Sequence, residues 1–273
     1  MKLFYRKYGS GPPLIILHGL FGSSDNWVSF AKSISDTFTV YLPDLRNHGQ
    51  SPHSPVHNYE SMAGDVKELA DSAGLGKFFL AGHSMGGKTA IRFASNNPER
   101  LSGLLIADIS PFRHTGNTET EFSLHLSILD FMRSADMSEI KSRLDAEILL
   151  KQRTESEKVR ELVLKNLKRE SDNSFSWKIN YNALYNNIDC IADDAVAETA
   201  GQTEISGFPV FFLKGEYSDY ITGNDIRKIS LMFPGAEFIT INGAGHWMHA
   251  DNPDLVRKCF LKLLDISRSE LRH

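Results

Sequence analysis

Three residue types needed for acyl transfer stand in telling places along this chain. Ser84 sits in GHSMGG (82–87), His246 in GAGHWMHADNPD (243–254), and several acids close apolar runs or fill the loops after them. A serine hydroxyl is a poor nucleophile at neutral pH, so it needs a base within hydrogen-bonding reach and an acid to orient that base. The run KFFLA precedes Ser84 and KTAIRFA follows it, which is the strand, sharp turn and helix setting of a nucleophile elbow. Gly82 and Gly86 keep side chains out of the gap where strand and helix nearly touch. The bland alternative is a glycine-rich turn whose serine caps the helix.

His246 follows the last strand pattern and precedes the last helix, so its loop should open at the same sheet edge as Ser84. His249 is its nearest rival. His48, His53 and His57 fall in NHGQSPHSPVHNY (47–59), a stretch whose prolines make a solvated loop the simpler account of His53 and His57. The HxxH spacing of His246 and His249 lacks further His, Cys or carboxylate partners nearby, so neither a metal nor any other cofactor is expected. In HGLFGSSDNW (18–27), a glycine-flanked turn after LIIL can offer a backbone NH to an oxyanion: Leu20 first, Phe21 second, with Met85 supplying the other donor.

The acid is less obvious. Neighbouring strands lie about 4.8 Å apart, so if GLLIAD (103–108) pairs with KFFLAG (77–82), Asp108 ends one strand from the nucleophile. A carboxylate closing so apolar a run needs a donor, and an imidazole NH is one. In LKGEYSDYI (213–221), Asp219 and Glu216 are the competing acids.

The elements that must position these groups alternate between short β-branched or aromatic runs and longer helical patterns, the signature of an α/β protein with a mostly parallel central sheet flanked by helices. Strands are predicted near 3–8, 14–17, 38–42, 77–82, 103–108, 208–214 and 237–242, and helices near 24–34, 60–74, 86–96, 223–232 and 253–265. Between 112 and 206 the alternation stops. Phe122, Leu126 and Leu129 share a helical stripe, further helical patterns cover 138–150 and 156–169, and no convincing strand is legible. The expected organisation is a core domain of 1–111 and 207–273 with a helical cap of 112–206 inserted between two strands. An insertion this long beside the ligand end of a sheet usually roofs a pocket. Phe112, Phe131, Met132, Trp177, Tyr181 and Trp247 are candidates for an apolar acyl site there.

Composition limits the partners. With 273 residues, 41% hydrophobic, 23% charged and a net charge of −4, the chain has an ordinary core and no basic footprint for nucleic acid or anionic lipid. MKLFYRKYGSGPP is no signal peptide and no apolar run approaches about 18 residues, so a cytoplasmic location without membrane spans is expected. Cys190 and Cys259, far apart and without CxxC spacing, are expected as free thiols.

The blocks HGLFGSSDNW, PDLRNHGQSP, GHSMGGK, IADISP and GAGHWMHADNPD, in this order, resemble the α/β-hydrolase superfamily, and more narrowly its YbfF-like esterases. The resemblance implies the α/β-hydrolase fold and a serine esterase acting on small to medium carboxylic esters or thioesters. Most of the superfamily carries its acid about three residues after a glycine, a place that Ser218 occupies here; the YbfF-like branch has serine there too and takes its acid from the position of Asp108. Ser218 would then lie beside the imidazole as a further member of the site. Lactone opening, carbon–carbon bond hydrolysis or perhydrolysis would use the same groups, and a ligand-binding signalling module is the non-enzymatic alternative.

Overall fold

The computed structural model describes residues 1–113, 118–196 and 204–270. The strands among these residues are β1 (Tyr5–Tyr8), β2 (Pro13–Leu17), β3 (Thr39–Pro43), β4 (Phe78–His83), β5 (Leu101–Ala107), β6 (Leu167–Arg169), β7 (Phe175–Trp177), β8 (Val210–Gly215) and β9 (Ala236–Ile241). Seven form one sheet in the order β1-β3-β2-β4-β5-β8-β9, in which only β1 runs antiparallel to its neighbour. The central strands read as unbroken apolar runs because both their faces are covered, whereas the edge strand β1 alternates exposed and half-buried residues.

The period of two shows in the core. Ile15, Leu17, Leu80, Leu104, Ile106 and Phe212 face one apolar cluster, and Leu14, Ile16, Phe79, Ala81, Leu105 and Phe211 face the other. On the second face lie α1 (Val28–Ser33) and the long C-terminal helix (Pro253–Glu270), which contributes Val256, Phe260 and Leu263. On the first face lie α2 (Tyr59–Ser72) and α3 (Met85–Asn96), through Met62, Val66, Ala90 and Ile91. Each such aliphatic side chain contributes about 1.5–3 kcal/mol on full burial.

Between β5 and β8 run α4 (Thr118–Ser134), α5 (Arg143–Lys151), α6 (Glu157–Leu164), α7 (Tyr181–Asn186) and α8 (Ile188–Ala192). The segment is not wholly helical as predicted: β6 and β7 pair antiparallel within it, so 165–169, read as the end of a helix, turns instead into a strand. The chain reverses between them at Asn173, whose φ is 67°, and Glu170 bonds Ser174 across the turn at 2.8 Å. The remaining helices are α9 (Gly223–Met232), α10 (Met248–Asp251) and α11, the C-terminal helix already described. No described helix is long and apolar enough to cross a membrane.

Candidate active site

The end of β4 and the start of α3 meet at Ser84, whose backbone is at φ 53° and ψ −122°. A non-glycine residue held there is strained, and the turn that holds it is correspondingly tight. The Ser84 NH donates to the carbonyl of Ala107 at 3.2 Å, and the Ser84 carbonyl accepts from Lys88 at 3.1 Å. A Cβ at Gly82 would lie 2.1 Å from the carbonyl oxygen of Gly86, and one at Gly86 would lie 2.5 Å from that of Leu17. Backbone on every side leaves no room for relief. Gly82→Ala should therefore destabilise the fold by about 3 kcal/mol or more, read as a lowered midpoint in thermal or denaturant unfolding.

Pairing of β4 with β5, register His83 to Ala107, brings Asp108 beside the elbow. Asp108 is fully buried at φ 52°, and its carboxylate accepts from three donors. Oδ1 accepts from the NH of Gly215 at 3.0 Å; Oδ2 accepts from the Ser218 hydroxyl and from His246 Nδ1, the latter at 2.9 Å. The four residues come from the ends of β5 and β8 and from the loop after β9. A close approach of loops permits this, since a Cβ at Gly215 would lie 2.4 Å from the carbonyl oxygen of Gly245. Asp219 is exposed and bonds no imidazole among the described residues; the carboxylate of Glu216, also exposed, accepts from the NH of Gly243 at 2.6 Å.

His246 is positioned on more than one side. The ring of Tyr220 stacks on it at 3.9 Å and 15°, and His83 Nε2 bonds its main-chain oxygen at 2.8 Å. Since Nδ1 donates to Asp108, the lone pair of the neutral ring is on Nε2. Ser84 and His246 line one cavity of about 140 Å3, along with Gly19, Leu20, Phe21 and Trp247. Gly19 sits against the elbow: a Cβ there would lie 3.2 Å from that of Ser84. Phe21 is at φ 61°, so the turn that carries Leu20 is itself strained. Among the described residues no acceptor engages the NH of Leu20 or of Met85, the first residue of α3. The Met85 side chain points away into the core, its sulfur 3.5 Å from His57 Nε2.

Buried polar groups hold the Leu20 turn. His18 Nδ1 donates to the carbonyl of Gly19 at 2.8 Å and Nε2 accepts from the NH of Leu45 at 2.9 Å. Asp44 bridges the next loop, accepting from Ser24 at 2.6 Å and from Gln50 at 2.8 Å. Here the prediction for the 47–59 loop needs correcting. His53 is exposed, but His57 and His48 are fully buried, because Arg46 forms a bidentate pair with Asp65 (2.6 and 2.8 Å) and draws the segment inward. Burial, with the charge of Arg46 next, lowers the pKa of His57 to about 3.

Sequence reasoning missed His125 of α4, which lines the cavity and packs edge-on against Phe21 at 5.7 Å. It also missed Tyr220 as a support for His246. His249, the rival base, stacks on Trp27 at 4.1 Å. Burial lowers the pKa of both His125 and His249 to about 4, with the charge of His246 the next cause. From the segment between β5 and β8 the cavity wall takes Leu124, His125, Val159 and Leu162. The aromatic and thioether residues expected there pack elsewhere: Phe131 and Met132 are buried in the core, and Phe112, Trp177 and Tyr181 lie against it. Of that group Trp247 alone is among the residues lining this cavity. Cys190 and Cys259 are free thiols.

A family model described as alpha/beta hydrolase fold matches residues 12–253. A solved structure described as a marine microorganism esterase is 43% identical and superposes with a TM-score of 0.88, covering 96% of this chain and 99% of its own. An sn-1-specific diacylglycerol lipase of Danio rerio is 36% identical over 248 residues, 90% of this chain and 76% of that protein. Esterase YbfF of Escherichia coli is 29% identical over 255 residues, 93% of each. A match of this extent, on this sheet order and these loops, means that the chain belongs to the alpha/beta hydrolase fold family, has YbfF-like esterases among its relatives, and is an enzyme of the serine hydrolase type.

Proposed function

We propose that the protein is an esterase that hydrolyses carboxylic ester or thioester bonds of small to medium acyl substrates through Ser84, His246 and Asp108. One observation carries the reading: His246 Nδ1 lies 2.9 Å from the buried carboxylate of Asp108, and its ring lines the same cavity as Ser84. In the acylation step Nε2 of His246 takes the Ser84 proton as the oxygen attacks the carbonyl carbon, and the carbonyl oxygen becomes an anion. The NH groups of Leu20 and Met85 receive that anion, each donor contributing about 3–4 kcal/mol of barrier lowering. The imidazolium then protonates the leaving alcohol or thiol, leaving an acyl-Ser84 that water, activated by the same imidazole, releases.

Asp108 holds the ring in the tautomer that makes this possible, and Ser218 shares the carboxylate and fixes its orientation. Residues 112–206 act as a cap: Leu124, Val159 and Leu162 give the acyl chain an apolar wall and shield the reaction from water. The modest cavity, about 140 Å3, favours short to medium chains. A p-nitrophenyl ester series from acetate to palmitate tests this. kcat/KM should peak among the short and medium esters and fall at least tenfold by palmitate, each 1.4 kcal/mol of lost transition-state stabilisation being tenfold. An enzyme that turns over none of them, or prefers palmitate, would contradict the reading.

A further inference from the structure

We infer that His83 is a positioning residue for the base: its Nε2–H, donated to the main-chain oxygen of His246, sets the distance between imidazole and nucleophile. The inference rests on the reading of Ser84 and His246 as nucleophile and base. His83 immediately precedes Ser84 in the elbow, and its bond to the carbonyl of His246 is 2.8 Å long across 163 residues of sequence. One hydrogen bond thus joins the residue before the hydroxyl to the residue that carries the imidazole. Asp108, itself bonded by Ser218, and Tyr220 fix the ring, but neither contact ties the main chain of residue 246 to β4, the strand that leads into Ser84.

The polarity of that bond is determined. A carbonyl oxygen only accepts, so Nε2 carries the hydrogen. The side chain is 4% exposed, and burial, followed by the neighbouring charges of His246 and His249, keeps its pKa well below the usual histidine value. His83 is therefore neutral in the working range, with Nδ1 unprotonated. The rings of His83 and His246 lie 4.5 Å apart, so a second cation beside the imidazolium formed in the reaction would oppose it. A neutral donor avoids that. The fit around the ring is close, a Cβ at Gly19 falling 3.1 Å from His83 Nδ1.

Two amides separate this role from simple packing. In His83→Gln the side-chain NH2 falls near the place of Nε2 and keeps the donor, whereas in His83→Asn it falls near Nδ1 and cannot reach residue 246. With p-nitrophenyl acetate, His83→Gln should keep kcat within about threefold. His83→Asn should lose about 10- to 100-fold in kcat with KM within about threefold, the scale expected of a misplaced catalytic group. Equal kcat in the two variants, an Asn deficit confined to KM, or losses that merely follow the melting temperatures would overturn the inference. Should the Asn variant not fold, His83→Met, similar in reach but without a donor, takes its place against Gln with the same outcomes. A His246→Ala enzyme of undiminished activity would instead strike at the underlying assignment of the base.

Discussion

Ser84→Ala should lower kcat for p-nitrophenyl acetate by about 10⁶, to a residual rate still some 10³-fold above the uncatalysed reaction. The loss is that large because, among the described residues lining the cavity, Ser84 carries the one hydroxyl at a strained turn; the Ser218 hydroxyl is committed to Asp108. The variant enzyme still has the NH groups of Leu20 and Met85 and its apolar wall, which is why catalysis does not vanish. His246→Ala should cost about as much, and the double variant no more than either alone, because groups that act as one unit are not additive. Circular dichroism should be unchanged, since alanine occupies the same backbone without a larger side chain. Steady-state rates on the three variants decide the matter. A Ser84→Ala rate within tenfold of the parent would mean that another nucleophile does the work, and a double variant clearly slower than either single one would mean that the two groups do not act as one unit.

Much of this arrangement is legible in the sequence because it depends on short-range patterns. Runs such as LIIL and FFLA, short, β-branched or aromatic and flanked by glycine or proline, read as strands buried on both faces, and the glycines around Ser84 mark a tight turn. Asp108 stands one strand from Ser84 only on the condition that GLLIAD pairs with KFFLAG, and β4 and β5 do pair directly. What stayed hidden depends on distant contacts. The three-residue strands β6 and β7 are shorter than any periodicity can reveal and exist because they find each other. His57 lies in a polar, proline-rich stretch, yet it is buried because a bidentate pair between Arg46 and Asp65 pulls the loop inward. Tyr220 stacks on an imidazole 26 residues further along, and His125 meets Phe21 from a separate helix. No local spacing encodes such pairs.

Asp108→Asn should reduce kcat roughly 10⁴-fold, the loss that a wrongly held imidazole tautomer causes in the serine proteases, while Asp219→Asn should stay within about twofold of the parent. The direction follows from the NH of Gly215, which points at Oδ1 from 3.0 Å and accepts nothing. An asparagine at 108 must turn its carbonyl oxygen towards that NH, because the opposite choice sets two donors against each other in a site with no exposure to water. Its NH2 then occupies the place of Oδ2 and donates to His246 Nδ1, which must give up its hydrogen to accept. The hydrogen moves to Nε2, and the atom that should take the Ser84 proton has no lone pair left for it. The Ser218 hydroxyl can rotate to accept from the same NH2, so the fold should tolerate the change far better than the chemistry does. Asp219, exposed and bonded to no imidazole among the described residues, has no path there by which an amide could matter. Comparing kcat and KM for the two variants with p-nitrophenyl acetate separates the acids: equal impairment, or a larger one at 219, would give the role to the wrong loop and sink the assignment.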